Sequence, residues 1–261
     1  MIVNPCRSGP NKGSATQYFI GDFNGHEFKP INSKTRWLDY GPDEYAGVTW
    51  SNTGNRKIFL GWMSNWLYAN VVPTKSWRNA MTIPRELKIM HTGEDILVAS
   101  EPVKELDAIQ NSPLNFKELT IKEMDLTSQM KGNPIPARID MSIENRSGFE
   151  FIISNDRKEE LRVGLDVSRN QYYIDRTRSG KTEFQNDFSG RAYAPRFSKS
   201  SSCKLTLIID VSSIELFADD GSTILTEIFF PTEPFNKMKL ISSEKMRVKK
   251  LSVKQLRTIW K

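Results

Sequence analysis

Apolar and polar residues alternate with a period of two along most of this chain, the spacing of half-buried strands rather than helices. Residues 16–28 (TQYFIGDFNGHEF) carry a short β-rich run, an Asn24-Gly25 tight-turn signal and a return, which predicts a hairpin. A second hairpin is predicted from 45–50 (YAGVTW) and 57–63 (KIFLGWM), divided by the turn formers Ser51-Asn52-Thr53-Gly54-Asn55. A third follows from 80–90 and 96–99, joined through the turn residues 91–95 (HTGED). Successive hairpins with no helix between them suit a sandwich, a barrel or propeller blades, and no self-similar sequence period singles out the last.

The texture changes near Ser100. Ser100-Glu101-Pro102 reads as a helix start, with Val103, Leu106 and Ile109 three apart on one face as far as Asn111-Ser112-Pro113. A linker helix over 100–112 is therefore expected, dividing a unit over 1–99 from one over 113–261. Beyond it, alternating segments at 119–124, 137–143, 149–153, 161–167, 171–174, 205–211, 214–218, 223–230 and 248–256 read as strands. The expected class is all-β, with an antiparallel β-sandwich as its second unit.

One stretch stands apart. Residues 61–87 (GWMSNWLYANVVPTKSWRNAMTIPREL) hold Trp62, Trp66 and Trp77 among Asn65, Asn70 and Asn79. Flat apolar faces beside paired amide donors and acceptors match a sugar ring, which has an apolar CH face and a hydroxyl rim. The same composition also fits a tryptophan-rich core.

Composition narrows the classes further. The chain has 261 residues, 38% hydrophobic and 26% charged, enough for one large or two ordinary domains. Its net charge of +6 is spread among acidic and apolar neighbours, without a basic run to track a phosphate backbone, so no nucleic-acid partner is expected. The opening MIVNPCRSGPNKG has no signal-peptide pattern, and no apolar run approaches spanning length, so no membrane partner is expected. Cys6 and Cys203 lie in no zinc-type spacing, and His26 and His91 stand beside turns, so neither a metal nor a cofactor is expected.

Hydrolytic chemistry needs an activated nucleophile or two facing carboxylates. No elbow-type serine motif accompanies the two histidines. Asp39 and Asp43, in TRWLDYGPDEYAGVTW, keep the most informative company, but Gly41-Pro42 breaks any strand between them and leaves them flanking a turn. They read either as ligand contacts at a sheet end or as a turn cap (Asp39) and a solvated carboxylate (Asp43).

Four long words in order, SATQYFIGDFNG, LDYGPDEYAGVTWSN, FLGWMSNWLYANVVPTKSWRNAMTIPREL and KLTLIIDVSSIELFADDGSTILTEIFFP, closely resemble glycoside hydrolase family 32, the invertases, levanases and inulinases. The resemblance implies a five-bladed β-propeller followed by a β-sandwich, and retaining hydrolysis of β-fructofuranosyl bonds in sucrose or fructans. It also implies that the catalytic words are absent here: the family's nucleophile lies in Asn-Asp-Pro-Asn-Gly, a stabilising aspartate in Arg-Asp-Pro and the acid/base in Glu-Cys-Pro. The chain resembles the last one or two blades plus the sandwich, with no catalytic residue of its own. What carries over is a substrate-binding rim: Asp39, Asn65 and Trp66 as sugar contacts, Asp43 and Tyr45 as support. The expected partner is an oligo- or polysaccharide. A non-catalytic carbohydrate-binding or relic protein is the alternative, and an extracellular or periplasmic placement would need a signal peptide on a longer precursor.

Overall fold

A computed structural model describes residues 1–93, 95–130, 132–144 and 148–259, so Glu94 of the expected 91–95 turn lies outside the described residues. Five short strands come first: β1 (Ile2–Val3), β2 (Gln17–Tyr18), β3 (Gly21–Phe23), β4 (Phe28–Pro30) and β5 (Arg36–Trp37). β1, β2 and β5 pair in that order, while β3 and β4 form the expected hairpin. Its turn is closed by Asn24, whose Oδ1 accepts from the amides of His26 (2.9 Å) and Glu27 (2.8 Å), with Gly25 at φ +97°.

The next five strands are β6 (Tyr45–Thr49), β7 (Ile58–Met63), β8 (Ala80–Met81), β9 (Arg85–Thr92) and β10 (Asp95–Pro102). They form an antiparallel sheet in the order β10-β9-β7-β6, with β8 also on β7. Ser100–Pro102 does not start a helix. Those residues pair with Leu87, Glu86 and Arg85 as the end of β10, and the helical piece is a 3-10 segment over Lys104–Ile109. Strand pairing outweighs the local capping signal, and proline is tolerated because β10 is an edge strand of its sheet. Leu106 then packs against Ile208, Phe217 and Ile224.

The remaining strands are β11 (Leu114–Asp125), β12 (Ala137–Glu144), β13 (Glu150–Ser154), β14 (Glu160–Asp166), β15 (Gln171–Arg178), β16 (Arg191–Pro195), β17 (Ser202–Ile209), β18 (Ser213–Ala218), β19 (Thr223–Ile228) and β20 (Lys237–Gln255). They make one antiparallel sheet in the order β16-β15-β14-β13-β20-β12-β17-β18-β19, with β11 also on β20. The nineteen-residue β20 explains how one sheet can enclose a core: residues 237–241 pair with β13 and residues 247–255 with β12. The register against β11 slips between Ile121/Met246 and Glu123/Ile241, which is where the sheet bends. β16 and β19 come side by side at the far ends, so the sheet nearly closes. The inward alternation of β12 (Ala137, Ile139, Met141, Ile143) meets Phe151, Leu161, Leu207, Leu216, Leu240 and Val248 in the main core.

Residues 38–44 (LDYGPDE) join the two halves, and every one of them is buried. This strap lies against β19, with the Tyr40 amide donating to Ile224 O (2.9 Å) and the Asp43 amide to Thr226 O (3.2 Å). The approach is close enough to require glycine at 41, since a Cβ there would fall 2.1 Å from Thr226 O.

Candidate functional site

Three acidic side chains within seven buried residues need partners, because an unpaired charge in the interior is costly. The fold supplies two arginines. Asp39 accepts from the Gly41 amide (2.8 Å) and the Thr226 amide (2.9 Å) on Oδ1, and from Arg85 Nη1 (2.8 Å) and Thr226 Oγ1 (2.6 Å) on Oδ2. Arg85, from the start of β9, also donates from Nη2 to Glu215 Oε2 on β18 (2.5 Å), while Glu215 Oε1 accepts from the Ile83 amide (2.8 Å). Burial opposes the charge on Arg85, but Glu215, Asp39 and Glu44 overcome it and hold its pKa above the ordinary value.

Asp43 sits in the second cluster. Its Oδ1 accepts from Tyr68 OH (2.5 Å), and its Oδ2 accepts from Arg176 Nη1 (2.5 Å) and the Ile228 amide (2.9 Å). Arg176, on β15, also donates to Phe188 O (2.7 Å) and lies 3.9 Å from the Phe188 ring centroid. Glu227 stands 3.6 Å from Arg176 Nε, and burial pushes its carboxyl well above the usual range.

Glu44 completes the buried acids. Its Oε1 accepts from Thr16 Oγ1 (3.0 Å), whereas Oε2 has no hydrogen-bond partner among the described residues. Burial, then repulsion from Asp39, raises its pKa to about 8, so it carries a proton at neutral pH. Sealed from solvent, it cannot exchange that proton with a substrate at the surface.

The aromatic groups lie elsewhere. Trp66, in the loop after β7, is 52% exposed. Its ring centroid is 5.0 Å from that of Trp62, which meets Tyr45 edge-on at 6.2 Å. The Trp66 amide donates to Ser14 Oγ (3.2 Å), and Tyr45 OH lies 3.5 Å from Cys6 Sγ. Behind this step, Asn65 is wholly buried: its Oδ1 accepts from the Leu67 amide (3.0 Å) and its Nδ2 donates to Pro42 O (2.8 Å).

The five residues picked from the sequence therefore fall into two layers. Tyr45 and Trp66 face outward with Trp62, forming a stepped aromatic surface able to stack on the CH face of a sugar. Asp39, Asp43 and Asn65 have no exposed surface, and their oxygens are spent on protein donors. Asp43 is not the solvated carboxylate its turn context suggested, since Arg176 and Tyr68 enclose it. Trp77 is 48% exposed and so not part of a tryptophan-rich core, while Tyr68 packs with Met63, Val72 and Phe188. Sequence reasoning passed over Arg85, Arg176, Glu215 and Glu227. The usable signal was a glutamate within an apolar strand word, as in Ile-Glu-Leu-Phe at 214–217 and Glu-Ile-Phe-Phe at 227–230.

Comparison with known proteins identifies the family. Residues 1–100 match the profile described as Glycosyl hydrolases family 32 N-terminal domain, and residues 105–255 match Glycosyl hydrolases family 32 C terminal. The chain is 37% identical to a levanase of Bacillus subtilis over 271 residues, covering all of itself and 40% of the levanase. Its backbone superposes on the crystal structure of an Aspergillus awamori exo-inulinase with a TM-score of 0.86 at 28% identity, covering 99% of this chain and 53% of that one. A fructofuranosidase from Schwanniomyces occidentalis complexed with fructose gives 0.87 at 25% identity, with 99% and 56% covered. The chain thus spans about half the length of the relatives it matches. Matching both family profiles along nearly its whole length, it is a member of glycosyl hydrolase family 32.

Proposed function

We propose that this chain is the rear portion of a retaining glycoside hydrolase acting on β-fructofuranosyl bonds of sucrose or fructans, and that it supplies one wall of the substrate funnel. The observation that carries this reading is the exposed Trp66 face, stepped against Trp62 and Tyr45 and braced by Ser14 and buried Asn65, in a member of family 32. In this reading Trp66 and Tyr45 touch the sugar, while Asn65, Asp39 and Asp43 hold the wall from beneath. The catalytic carboxylates belong to a front portion that this chain does not carry.

Residues 1–99 are then the last blades of a five-bladed propeller, 100–112 the linker and 113–261 the β-sandwich. Exposed apolar side chains in the first part, among them Val48 and Trp50 at and just after the edge strand β6, support the idea that further blades cover this face. The test is reconstitution. The pure chain should release no fructose from sucrose, levan or inulin, and co-expression with the front portion of a family relative should restore release. Trp66→Ala in that assembly should raise KM at least tenfold. Fructose release by the pure chain, or a verified but inactive assembly, would overturn the proposal.

A non-catalytic carbohydrate-binding role is a second reading, favoured by the fact that the aromatic step is complete within this chain. Calorimetry with fructans on the isolated chain, with and without Trp66→Ala, separates the two.

A further inference from the structure

Trp66 is half in water, so its place depends on how its backbone is held. Two hydrogen bonds hold it: the Trp66 amide donates to Ser14 Oγ (3.2 Å) and the Leu67 amide to Asn65 Oδ1 (3.0 Å). Asn65 in turn donates from Nδ2 to Lys12 O (3.3 Å), and it lies so close to Gly13 that a Cβ there would fall 2.2 Å from Asn65 Oδ1. The loop after β7 therefore takes its position from residues 12–14. Those residues follow a turn closed on itself, in which the Gly9 amide donates to Gly13 O (2.9 Å) and the Lys12 amide to Gly9 O (3.2 Å). Lys12 and Gly13 both stand at positive φ, +74° and +70°.

The turn is anchored through its own Asn11, and the anchor lies on the large sheet. Asn11 Nδ2 donates to Tyr193 O (2.8 Å) while Asn11 Oδ1 accepts from the Tyr193 amide (3.1 Å), so the side chain pairs with β16 as a further strand residue would. Nδ2 also donates to Tyr40 O (2.6 Å), in the strap that lies against β19. Asn11 thus stands where the large sheet nearly closes, with one side on β16 and the other on the strap. A primary amide is the side chain this place demands: two carbonyls need two N–H donors, and one backbone amide needs an acceptor. Aspartate, of nearly the same shape, would set a carboxylate oxygen against both carbonyls. The neighbouring Lys12–Asp187 pair (2.9 Å) is exposed and adds little.

We propose that Asn11 is a positioning residue for the aromatic surface, through which the large sheet sets where Trp66 stands. The path is one of contiguous contacts: Tyr193 to Asn11, through the closed turn to Ser14 and Asn65, and on to Trp66. The large sheet is then more than a support for the first unit, because its edge at β16 fixes one wall of the funnel. The consequence for activity rests on the reading of Trp66 as a sugar contact.

The test labels the full chain with 5-fluorotryptophan and follows the Trp66 fluorine resonance, assigned by its loss in Trp66→Phe. Asn11→Ala and Asn11→Asp should each shift or broaden that resonance while leaving those of Trp50 and Trp77 in place. Lys12→Ala, on the same turn, should leave all three unmoved. Thermal unfolding shows whether each variant is folded. In the reconstituted assembly, Asn11→Asp should raise KM about fivefold with kcat held within about twofold, the split expected when a binding contact is displaced. A Trp66 resonance unmoved in both Asn11 variants, one moved equally by Lys12→Ala, or a shift shared by Trp50 and Trp77 would overturn the proposal. Failure of both Asn11 variants to fold would make the residue structural and overturn it too. A moved resonance with unchanged KM would uphold the brace and overturn Trp66 as a sugar contact, so the two readings fail separately.

Discussion

Replacing Arg176 with methionine tests whether the junction is held by buried charge. Arg176 is 3% exposed and Asp43 is 0% exposed, so water cannot compensate when the guanidinium is lost. Asp43 would keep Tyr68 OH and the Ile228 amide but no cation, and Glu227 would lose the positive charge 3.6 Å away. Breaking one side of such a pair costs about 3–5 kcal/mol. Methionine retains much of the contact with Phe188, which keeps the packing contribution to the loss small. Urea unfolding at pH 7, followed by tryptophan fluorescence, gives the magnitude. Asp43→Asn alone should cost a similar amount, because it strands the arginine. The double variant Asp43→Asn/Arg176→Met leaves neither charge exposed to a low-dielectric interior and should be at least 2 kcal/mol more stable than the sum of the singles implies. An Arg176→Met loss below about 1 kcal/mol, or strict additivity in the double variant, would refute the reasoning.

Other expectations follow from the same region. Gly41→Ala places a Cβ 2.1 Å from Thr226 O and 2.2 Å from Thr226 N, so it should cost at least about 2 kcal/mol and make residues 1–99 sensitive to limited proteolysis. Glu44 has a folded pKa of about 8, above the ordinary glutamate value, so the stability it contributes is full at acid pH and is lost as pH rises through 8. Between those limits the loss approaches about 1.4 kcal/mol for each pH unit, and Glu44→Gln should flatten the fall in melting temperature between pH 5 and pH 8. Trp66→Ala should change unfolding stability by less than about 1 kcal/mol, since half the ring is already in water, so its effect on the KM of the reconstituted assembly reports substrate contact and not loss of fold.

The strand pattern was legible wherever one face is apolar and the other polar, as at 137–143, because burial of one face enforces the period of two. It was less legible at β16, a five-residue Arg-Ala-Tyr-Ala-Pro, and at the first half of β20, where Ser242-Ser243-Glu244-Lys245 interrupts the alternation at the bend. The 100–112 helix was overestimated because the proline signal is local, whereas the pairing of Pro102 with Arg85 joins residues 17 positions apart. The aromatic step was partly readable, since the density of tryptophan and asparagine flagged the loop. The buried role of Asp39, Asp43 and Asn65 was not, because their partners Thr226, Arg176 and Ser14 sit up to 187 residues away and nothing in the local words names them.

The junction places its charges reciprocally. The front part gives a cation, Arg85, to the anion Glu215 of the back part, and an anion, Asp43, to the back part's cation Arg176. Two crossed pairs of opposite sign act as a matched code between the halves. A chimaera joining this back part to another relative's front would bury like charges or orphaned ones unless positions 43, 85, 176 and 215 were exchanged together. Recombination inside this family should therefore tolerate breakpoints in the 104–109 segment only between parents that share the code.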